Sequence, residues 1–324
     1  MAVLGIDLGG TKLLAGVFSE SGELLHKEKA ELENRQGAEL GAFITQKINI
    51  LQAEWQQKGK SILAAGVAVP GISNPANGTV WAPNIPGWEA YPLWNELRQN
   101  CKSTGITIDN DRSCSLLGEI WKGNARQCSN VIFLTVGTGI GAGIMADGNI
   151  INGARGISGA IGWMALTTPF REEYISCGCF EQHASGEGIA KSARELLQSE
   201  KIATSMLSRI PLKDIKAHHV FNAYSYGDPA AIKVIRQCIQ YWGMASANLV
   251  SLFNPEKIIF GGGVFGPALQ FLPDIMEEAR RWAQPVSIKH TKFEPSALGN
   301  EACLYGAAFL ALKNIQNHDP GSIQ

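Results

Sequence analysis

The same short pattern occurs twice in this chain: an apolar strand, a glycine-rich turn and a second apolar strand. In the first copy, residues 3–6 precede the turn Gly9-Gly10 and residues 13–18 follow it. The second copy places residues 131–136 and 142–146 around Gly137-Thr138-Gly139. Apolar segments joined by a short glycine turn are typical of a β-hairpin. The repetition predicts two halves built on one plan, each presenting a hairpin turn to a shared cleft.

The first turn carries groups suited to binding a phosphate. Backbone N–H groups of Gly9 and Gly10 can face an anion, and Thr11 and Lys12 add a hydroxyl and an ammonium donor. Asp7, at the end of the first strand, offers carboxylate oxygens, which can hold Mg²⁺ directly or through water. An ordinary Gly-Gly hairpin with solvated ends is the alternative interpretation.

Bulk composition limits the classes of partner. At 324 residues the chain is longer than one core usually supports, which favours two domains. The formal net charge is −1 and no block of Lys and Arg occurs, so we expect neither nucleic acid nor a membrane as a partner. A small-molecule ligand is the better expectation.

The N-terminal segment and the cysteines favour a cytoplasmic location. Asp7 lies within the first apolar run and no basic leader precedes it, which is unlike a signal peptide. The 7 cysteines are an odd number scattered along the chain, which is typical of reduced thiols.

Apolar spacing predicts most of the remaining elements. Residues 38–58 have helical spacing, and residues 62–69 form a buried strand that ends at Pro70-Gly71. A helix between two strands implies a crossover and a parallel pairing. We expect residues 73–92, which are rich in Pro, Gly, Asn and Trp, to form an ordered loop. Further helices are predicted at 93–101, 113–123, 185–198, 229–252 and 301–312, and further strands at 106–108 and 257–260.

A strand that ends in Asn110-Asp111 is the best candidate for a catalytic site. Polar residues at the tip of an element are where sites are usually built, and a helix is predicted to start near Ser113. Asp111 is a candidate general base that accepts a proton from an attacking hydroxyl, while Asn110 hydrogen-bonds a neighbouring hydroxyl. The alternative is that Asp111 merely caps the helix N-terminus.

Two later glycine runs need separate interpretation. The run from Gly137 to Ala142 matches G-x-G-x-x-A, but the residues after it continue as β-type sequence instead of opening a helix, which excludes a Rossmann turn. Gly261-Gly262-Gly263 follows a buried strand and would allow a nucleotide base or ribose to lie against the backbone. A tight strand-to-helix connection is the alternative.

Together these segments resemble the ROK family (repressors, open reading frames and sugar kinases). The resemblance covers nearly the whole chain. The motifs that carry it are the residues 7–12, Pro70-Gly71, Asn84 in the run 82–88, Asn110-Asp111 with Gly118-Glu119, the run 137–141, and Gly261-Gly262-Gly263.

The resemblance implies an α/β, two-domain actin-like ATPase fold of the ribonuclease H-like type with a central cleft. We expect one domain of residues 1–112 plus 300–324, and a larger one of residues 113–299. By analogy with the family, a homodimer is expected. The implied reaction is transfer of the γ-phosphoryl group of ATP to a hexose or amino-sugar hydroxyl, commonly at the 6-position, with Mg²⁺.

The resemblance also assigns roles to residues. Asp111 would be the catalytic base, and ATP would be held by Asp7, Gly9, Gly10, Thr11, Lys12, Thr138, Gly139, Gly262 and Gly263, with Mg²⁺ on Asp7. The sugar would be bound by Gly71, Asn84, Asn110, Trp163 and Glu181. For Glu181 the alternative is a solvated carboxylate at a helix start, favoured by the helix dipole.

Two departures from the family pattern fall in one region. Ala160 and Trp163 stand where the family has a Glu and a His that contact the sugar, and the His often also binds zinc. The zinc cluster is shortened to Cys177-Gly178-Cys179, so a closed site would need His183 and one more ligand, and we expect no structural zinc. Trp163 offers one N–H donor and a broad apolar face that can stack on a pyranose ring.

Several functions remain open at this point. A kinase could accept a free hexose through fewer polar contacts, or a substituted sugar such as a β-glucoside. A sugar- or nucleotide-binding regulator without turnover is the main rival, and a weak ATPase is the third. The family's repressors carry a DNA-binding segment before the first motif, whereas Asp7 lies close to the first residue, so we expect no such segment.

Overall fold

The computed structural model describes residues 1–101, 105–200, 202 and 204–318. The strands in these residues are β1 (Ala2–Leu8), β2 (Lys12–Ser19), β3 (Leu24–Glu31), β4 (Ile62–Val69), β5 (Ile72–Asn74), β6 (Thr79–Trp81), β7 (Gly105–Asn110), β8 (Val131–Val136), β9 (Ile140–Ala146), β10 (Asn149–Ile150), β11 (Lys257–Gly261) and β12 (Lys292–Pro295). The α-helices are α1 (Gly37–Gln57), α2 (Leu93–Asn100), α3 (Asp111–Lys122), α4 (Tyr174–Cys177), α5 (Cys179–Ala184), α6 (Gly186–Ser199), α7 (Ala217–Ser225), α8 (Pro229–Phe253), α9 (Leu272–Trp282), α10 (Ser287–His290) and α11 (Ala302–His318).

These elements form two compact units. Of the described residues, the first unit holds 1–127, 151–158 and 301–318, and the second holds 128–150 and 159–300. The division differs from the expected one in three places. Residues 113–127 belong to the first unit because α3 packs along α11, residues 151–158 also belong to the first unit, and residue 300 belongs to the second. The last six residues of the expected first domain, 319–324, lie outside the described part of the chain.

The first unit is built on a five-stranded sheet of order β3-β2-β1-β4-β7. β1 pairs antiparallel with β2, which confirms the first hairpin, and parallel with β4, which confirms the crossover through α1. Alternate residues of β1 face opposite layers, as the period of a strand requires. Leu4, Ile6 and Leu8 belong to the apolar core that includes the buried face of α1. Val3 belongs to the core that includes Leu304 and Ala308 of α11.

Part of the segment 73–92 is a hairpin and not a loop. β5 and β6 pair antiparallel, with Ile72 opposite Trp81, and an isolated bridge joins Val80 to Tyr91. The expectation of a loop was wrong here because the Pro, Gly and Asn residues form the turn between two very short strands, and three residues are too few to show an alternating pattern.

Glycines allow α11 to approach its neighbours unusually closely. A Cβ on Gly306 would lie 1.6 Å from the carbonyl oxygen of Cys114 in α3, and one on Gly118 would lie 2.1 Å from that of Ala302. On the sheet side, a Cβ on Gly66 of β4 would lie 1.8 Å from the carbonyl oxygen of Ala307. These separations are far below van der Waals contact, so no larger residue fits without a shift of the backbone. α11 is thereby wedged between the sheet and α3.

The second unit repeats the plan of the first. Its sheet has the order β10-β9-β8-β11-β12, with β8, β9 and β10 antiparallel and β8, β11 and β12 parallel. The hairpin around Gly137-Thr138-Gly139 occupies the position that Gly9-Gly10 holds in the first unit. The prediction of two halves with the same organisation is confirmed at the level of strand order and direction.

Among the described helices, none combines the length and the apolar character needed to cross a membrane.

We predict that Gly306→Ala lowers the free energy of unfolding by about 2 kcal/mol, because the added methyl group overpacks the contact with Cys114. Without that contact the change would raise stability by about 1 kcal/mol, because alanine has the higher helix propensity. Urea denaturation followed by circular dichroism measures the sign.

Gly105→Ala is the matched control in the same unit. A Cβ there meets only ordinary contacts, the nearest being Ala64 Cβ at 3.6 Å. A Gly306→Ala protein as stable as the wild type or the control would contradict the tight packing of α11.

Candidate functional site

Three carboxylates of the first unit lie at or just after the ends of strands. The register aligns Asp7 of β1 with Ala68 of β4, and Ala68 with Asp109 of β7. Burial raises the pKa of Asp7, and a hydrogen bond with the Cys303 thiol and the charge of Lys12 oppose this rise. Burial also raises the pKa of Asp109, while its hydrogen bonds with Asn110 oppose the rise.

Asp111 has the pKa expected of a base that works near neutrality. Burial raises its pKa to about 6, the positive charge of Arg112 opposes the rise, and the negative charge of Asp7 adds to it. Asp111 is the first residue of α3, but the residue that caps this helix is Asn110. The alternative role of Asp111 as the N-cap is therefore wrong.

The side chain of Asn110 is buried and used in three hydrogen bonds. Its Oδ1 accepts from the backbone N–H of Ser113 at 2.9 Å, and its Nδ2 donates to Asp109 Oδ1 at 2.8 Å and to Ser113 Oγ at 3.1 Å. An amide oxygen has two lone pairs, so Oδ1 keeps the capacity to accept one more hydrogen bond. Both donor positions of the amide group are occupied by protein atoms.

The first glycine turn is closed by one hydrogen bond and exposed at its tip. The N–H of Gly9 donates to the carbonyl of Lys12 at 2.9 Å. Gly10, Thr11 and Lys12 are exposed. A Cβ on Gly10 would meet no atom within 4 Å, so the backbone there borders open space. Such a cradle fits an anion approaching the backbone closely.

Gly71 and Asn84 have different surroundings. A Cβ on Gly71 would lie 2.1 Å from the carbonyl oxygen of Trp81, so close packing alone requires glycine at this position. Asn84 is exposed in the turn 82–88. That turn is anchored by Trp88, which is fully buried, donates to the Gly37 carbonyl at 3.0 Å and stacks on Tyr91 at 4.9 Å.

In the second unit, Glu181 contacts the second glycine turn. Its Oε2 accepts from the backbone N–H of Ile140 at 2.6 Å, and the N–H of Gly137 donates to the Gly139 carbonyl at 2.9 Å. Thr138 is exposed at the tip of the turn. Burial raises the pKa of Glu181, and the Ile140 bond opposes the rise. Glu181 is therefore not a freely solvated carboxylate at a helix start.

The glycine run after β11 lies beside the same turn and borders a cavity. Gly262 has φ of 86°, and a Cβ there would lie 2.4 Å from the carbonyl oxygen of Val136. A Cβ on Gly263 would meet nothing within 4 Å. The cavity has a volume of about 210 Å³ and is lined by Phe260, Gly261, Gly262, Gly263, Phe265, Gly266, Leu269, Ser296, Gly299 and Asn300. The run is thus both a tight connection and a cavity wall.

Trp163 is 56% exposed, which is high for an indole. It ends the 3-10 turn Ile161–Trp163, which Ala160 directly precedes. The indole is accessible to a planar or ring-shaped partner.

The residues of the shortened cysteine motif do not fit a zinc ion. The thiol of Cys177 donates a hydrogen bond to Gln182 Oε1 at 3.1 Å. His183 Nε2 lies 2.8 Å from the hydroxyl of Tyr174, and its ring stacks on Tyr241 with centroids 4.7 Å apart. Across the described ranges, His, Cys, Asp and Glu side chains form no group of three or more that could hold a metal.

Two contacts at these sites were not anticipated from the sequence. The Cys303 thiol forms a hydrogen bond with the Asp7 carboxylate although 296 positions separate the two residues in the chain. The Glu181 carboxylate accepts a hydrogen bond from the Ile140 N–H across 41 positions. No local pattern indicates either pair. The small residues near Cys303, namely Ala302, Gly306, Ala307 and Ala308, are the nearest available signal, because small side chains let a helix pack closely. The structure thus brings Asp7, Asn110 and Asp111 together in the first unit, and Gly139, Glu181 and Gly262 in the second.

Comparison with known proteins supports one family assignment. The ROK family model matches residues 3–314. A glucokinase from Halalkalibacterium halodurans is 32% identical over 329 aligned residues, covering 98% of this chain and 97% of the relative.

Solved structures give the same result. A ROK hexokinase from Thermus thermophilus has a TM-score of 0.81 and 28% identity, with 98% of this chain and 100% of that chain covered. A ROK family glucokinase from Streptomyces griseus, solved in complex with glucose and AMPPNP, has a TM-score of 0.76 and 28% identity, with 97% and 100% covered. The strand orders of both units agree with the actin-like ATPase fold of these neighbours. On this evidence, the chain belongs to the ROK family.

Proposed function

We propose that this chain, a sugar kinase, transfers the γ-phosphoryl group of ATP to the 6-hydroxyl of a hexose or hexose derivative, with Asp111 as general base. The observation that carries the proposal is the environment of Asp111. Its pKa is raised to about 6 by burial, and capping of α3 is left to Asn110. The Streptomyces griseus relative, solved with glucose and AMPPNP, supports a hexose and ATP as the two substrates.

Asp111 acts on the acceptor hydroxyl. Its carboxylate accepts the proton as the hydroxyl oxygen forms a bond to the γ-phosphorus and the bond from that phosphorus to the bridging oxygen breaks. A base with a pKa near 6 is largely ionised at neutral pH and is more basic than an ordinary aspartate. Burial of Asp111 therefore makes it a stronger base and still leaves it largely ionised at neutral pH.

The glycine turns supply the phosphate contacts. Gly10, Thr11 and Lys12 in the first unit, and Thr138 and Gly139 in the second, would donate to phosphate oxygens. Gly9, whose N–H is already bonded to the Lys12 carbonyl, would shape the turn and not donate to phosphate as the sequence suggested. Gly262 and Gly263 would lie against the nucleoside, since they line the cavity after β11. When bound with ATP, Mg²⁺ supplies positive charge to the phosphate oxygens. Asp7 would hold it through a carboxylate oxygen, directly or through water.

The sugar contacts are assigned to five positions. Asn84 would bond a hydroxyl from the exposed turn 82–88, and Asn110 would accept one through its remaining lone pair. Gly71 would shape the wall next to Trp81. The exposed face of Trp163 would stack on the pyranose ring, and the second oxygen of Glu181 would be available to a hydroxyl.

A β-glucoside kinase is the second candidate. It is favoured by Ala160 and Trp163, because an alanine and an exposed indole leave an apolar surface where two polar sugar contacts are expected in the family. Rates of ADP release with free hexoses, amino sugars and β-glucosides, compared as kcat/KM, decide between the two. Inactivity on every sugar together with retained ATP binding would favour a regulator instead.

We predict that Asp111→Asn lowers kcat by at least about 100-fold and leaves the affinity for ATP unchanged, because a general base contributes on the order of 10² to 10⁴. Steady-state kinetics and nucleotide titration calorimetry measure both quantities.

Asp274→Asn is the matched control, since Asp274 also lies in the first turn of a helix, α9. It removes the same favourable charge from a helix N-terminus and should leave kcat within about twofold. If Asp111→Asn has the same kcat as the wild type, Asp111 is not the general base.

We predict that kcat/KM rises with pH through about 6, the pKa of Asp111, because only the ionised carboxylate accepts a proton. Arg112 lowers this pKa, so Arg112→Gln should move the acidic limb to higher pH. The measurement is a kcat/KM profile from pH 5 to 8, a range of about three units around the expected midpoint.

Lys122→Gln removes a cation from the other end of the same helix and serves as the control. Its profile should coincide with that of the wild type. If the acidic limb of the kcat/KM profile stays in place in Arg112→Gln, or moves to lower pH, the limb does not report the titration of Asp111.

We predict that Trp163→Ala raises the KM for the sugar about fivefold, equivalent to about 1 kcal/mol of lost stacking, while the KM for ATP stays within about twofold. Phe170→Ala is the control, because Phe170 is another aromatic residue of the same unit that is 68% exposed. If both variants keep the wild-type KM for the sugar, Trp163 does not contact it.

A further inference from the structure

We propose that Glu181 is a positioning residue that holds the backbone of the turn 137–139 in the geometry needed for phosphate binding. The inference rests on the proposed function, in which this turn contacts the phosphates of ATP. It differs from a direct sugar contact because it assigns the principal effect of Glu181 to the nucleotide.

The hydrogen bond from Ile140 is the first observation. Ile140 is the first residue of β9 and pairs with Val136, the last residue of β8. Its N–H donates to Glu181 Oε2 at 2.6 Å. Within the turn, the N–H of Gly137 donates to the Gly139 carbonyl at 2.9 Å. The hydrogen bond from Gly137 to Gly139 therefore closes the turn internally. The hydrogen bond from Ile140 to Glu181 ties the residue that follows the turn to α5.

Two glycines leave the space that the carboxylate occupies. A Cβ on Gly139 would lie 2.7 Å from Glu181 Oε2, and a Cβ on Gly162 would lie 2.9 Å from the same atom. Side chains at either position would displace the carboxylate from Ile140. The pocket for the Glu181 head group is thus formed by the turn itself and by the 3-10 turn Ile161–Trp163.

The segment that carries Glu181 is itself firmly held. Directly after α5, the N–H of Gly186 donates to the Gly137 carbonyl at 2.8 Å, which is a second link to the same turn. Trp242 of α8 donates to the Ala184 carbonyl at 3.0 Å. The imidazole of His183 pairs with the Tyr174 hydroxyl at 2.8 Å. Through these contacts the turn is connected to the buried core of the second unit.

Charge distinguishes a positioning role from an electrostatic one. A hydrogen bond to an ionised carboxylate is stronger than one to a neutral acceptor, which favours a fixed N–H direction in the turn. A negative charge near phosphates, however, opposes their binding. If positioning dominates, an acceptor of the same length without charge preserves ATP binding, and loss of the acceptor weakens it. If repulsion dominates, both changes strengthen ATP binding.

Glu181→Ala and Glu181→Gln test the role by steady-state kinetics with both substrates varied. We expect Glu181→Ala to raise the KM for ATP about tenfold, because a charge-assisted hydrogen bond is lost. Glu181→Gln, which keeps an acceptor oxygen, should remain within about threefold of the wild type. In Glu181→Ala the KM for the hexose should rise by a smaller factor than the KM for ATP, since the principal effect is assigned to the nucleotide.

Glu256→Ala is the matched control. Glu256 Oε1 accepts from the backbone N–H groups of Ser129 and Asn130 at 2.8 and 3.0 Å, just before β8 begins at the end remote from the turn. This variant also removes a carboxylate that binds backbone amides in the same unit, and its KM for ATP should equal that of the wild type. An unchanged KM for ATP in Glu181→Ala, or a rise in the KM for the hexose alone, would overturn the inference.

Titration calorimetry with magnesium AMPPNP separates this inference from the proposed function. A wild type that phosphorylates no sugar but binds the nucleotide about tenfold more tightly than Glu181→Ala would refute the kinase proposal and support the positioning role. A wild type that binds no nucleotide would overturn the positioning role.

Discussion

The contact of α11 with α3 and the first sheet is the constraint on which the candidate catalytic residues depend. Gly118 and Gly306 allow the two helices to touch backbone to backbone, and Gly66 admits α11 to the sheet. Asp111 lies at the start of α3. Cys303 lies at the start of α11, and its thiol forms a hydrogen bond with the Asp7 carboxylate. A bulkier residue at the crossing would separate these groups. Packing far from solvent thus determines the surroundings of two carboxylates.

Those surroundings act on the pKa of three neighbouring aspartates in different ways. Burial disfavours the charged form of Asp7, Asp109 and Asp111 alike. Hydrogen bonds with Asn110 oppose this effect at Asp109, and the Cys303 thiol and Lys12 oppose it at Asp7. Asp111 faces the negative charge of Asp7 as well as the positive charge of Arg112. Differences in partners, and not in residue type, distinguish the three carboxylates.

Much of the architecture could be predicted because its signals are local. The hairpins at Gly9-Gly10 and Gly137-Thr138-Gly139, the crossover through α1 and the repeated strand order follow from apolar spacing and glycine turns. The β5–β6 hairpin could not be predicted, since three-residue strands show no period. The first domain boundary also differed, because nothing in α3 itself indicates that it packs along a helix almost 200 residues later in the chain.

At the candidate site, the identity of the polar residues could be anticipated but not how they share their tasks. The run Asn110-Asp111 allows either residue to cap α3, and only the observed bond from Ser113 to Asn110 decides between them. For Glu181, residue type is compatible with solvent, sugar or backbone as a partner. Its bond with Ile140 depends on where the second sheet places a hairpin, which is a long-range property of the fold.

The place of α11 in the first unit has a consequence for biosynthesis. Ribosomes release a chain from its N-terminus, so β1, β2 and β4 emerge well before Leu304 and Ala308, which cover one face of their sheet. Until then that apolar face is uncovered and open to chaperones or to misassembly. All strands of the second sheet lie before residue 300 and can associate while the earlier sheet still awaits its last layer.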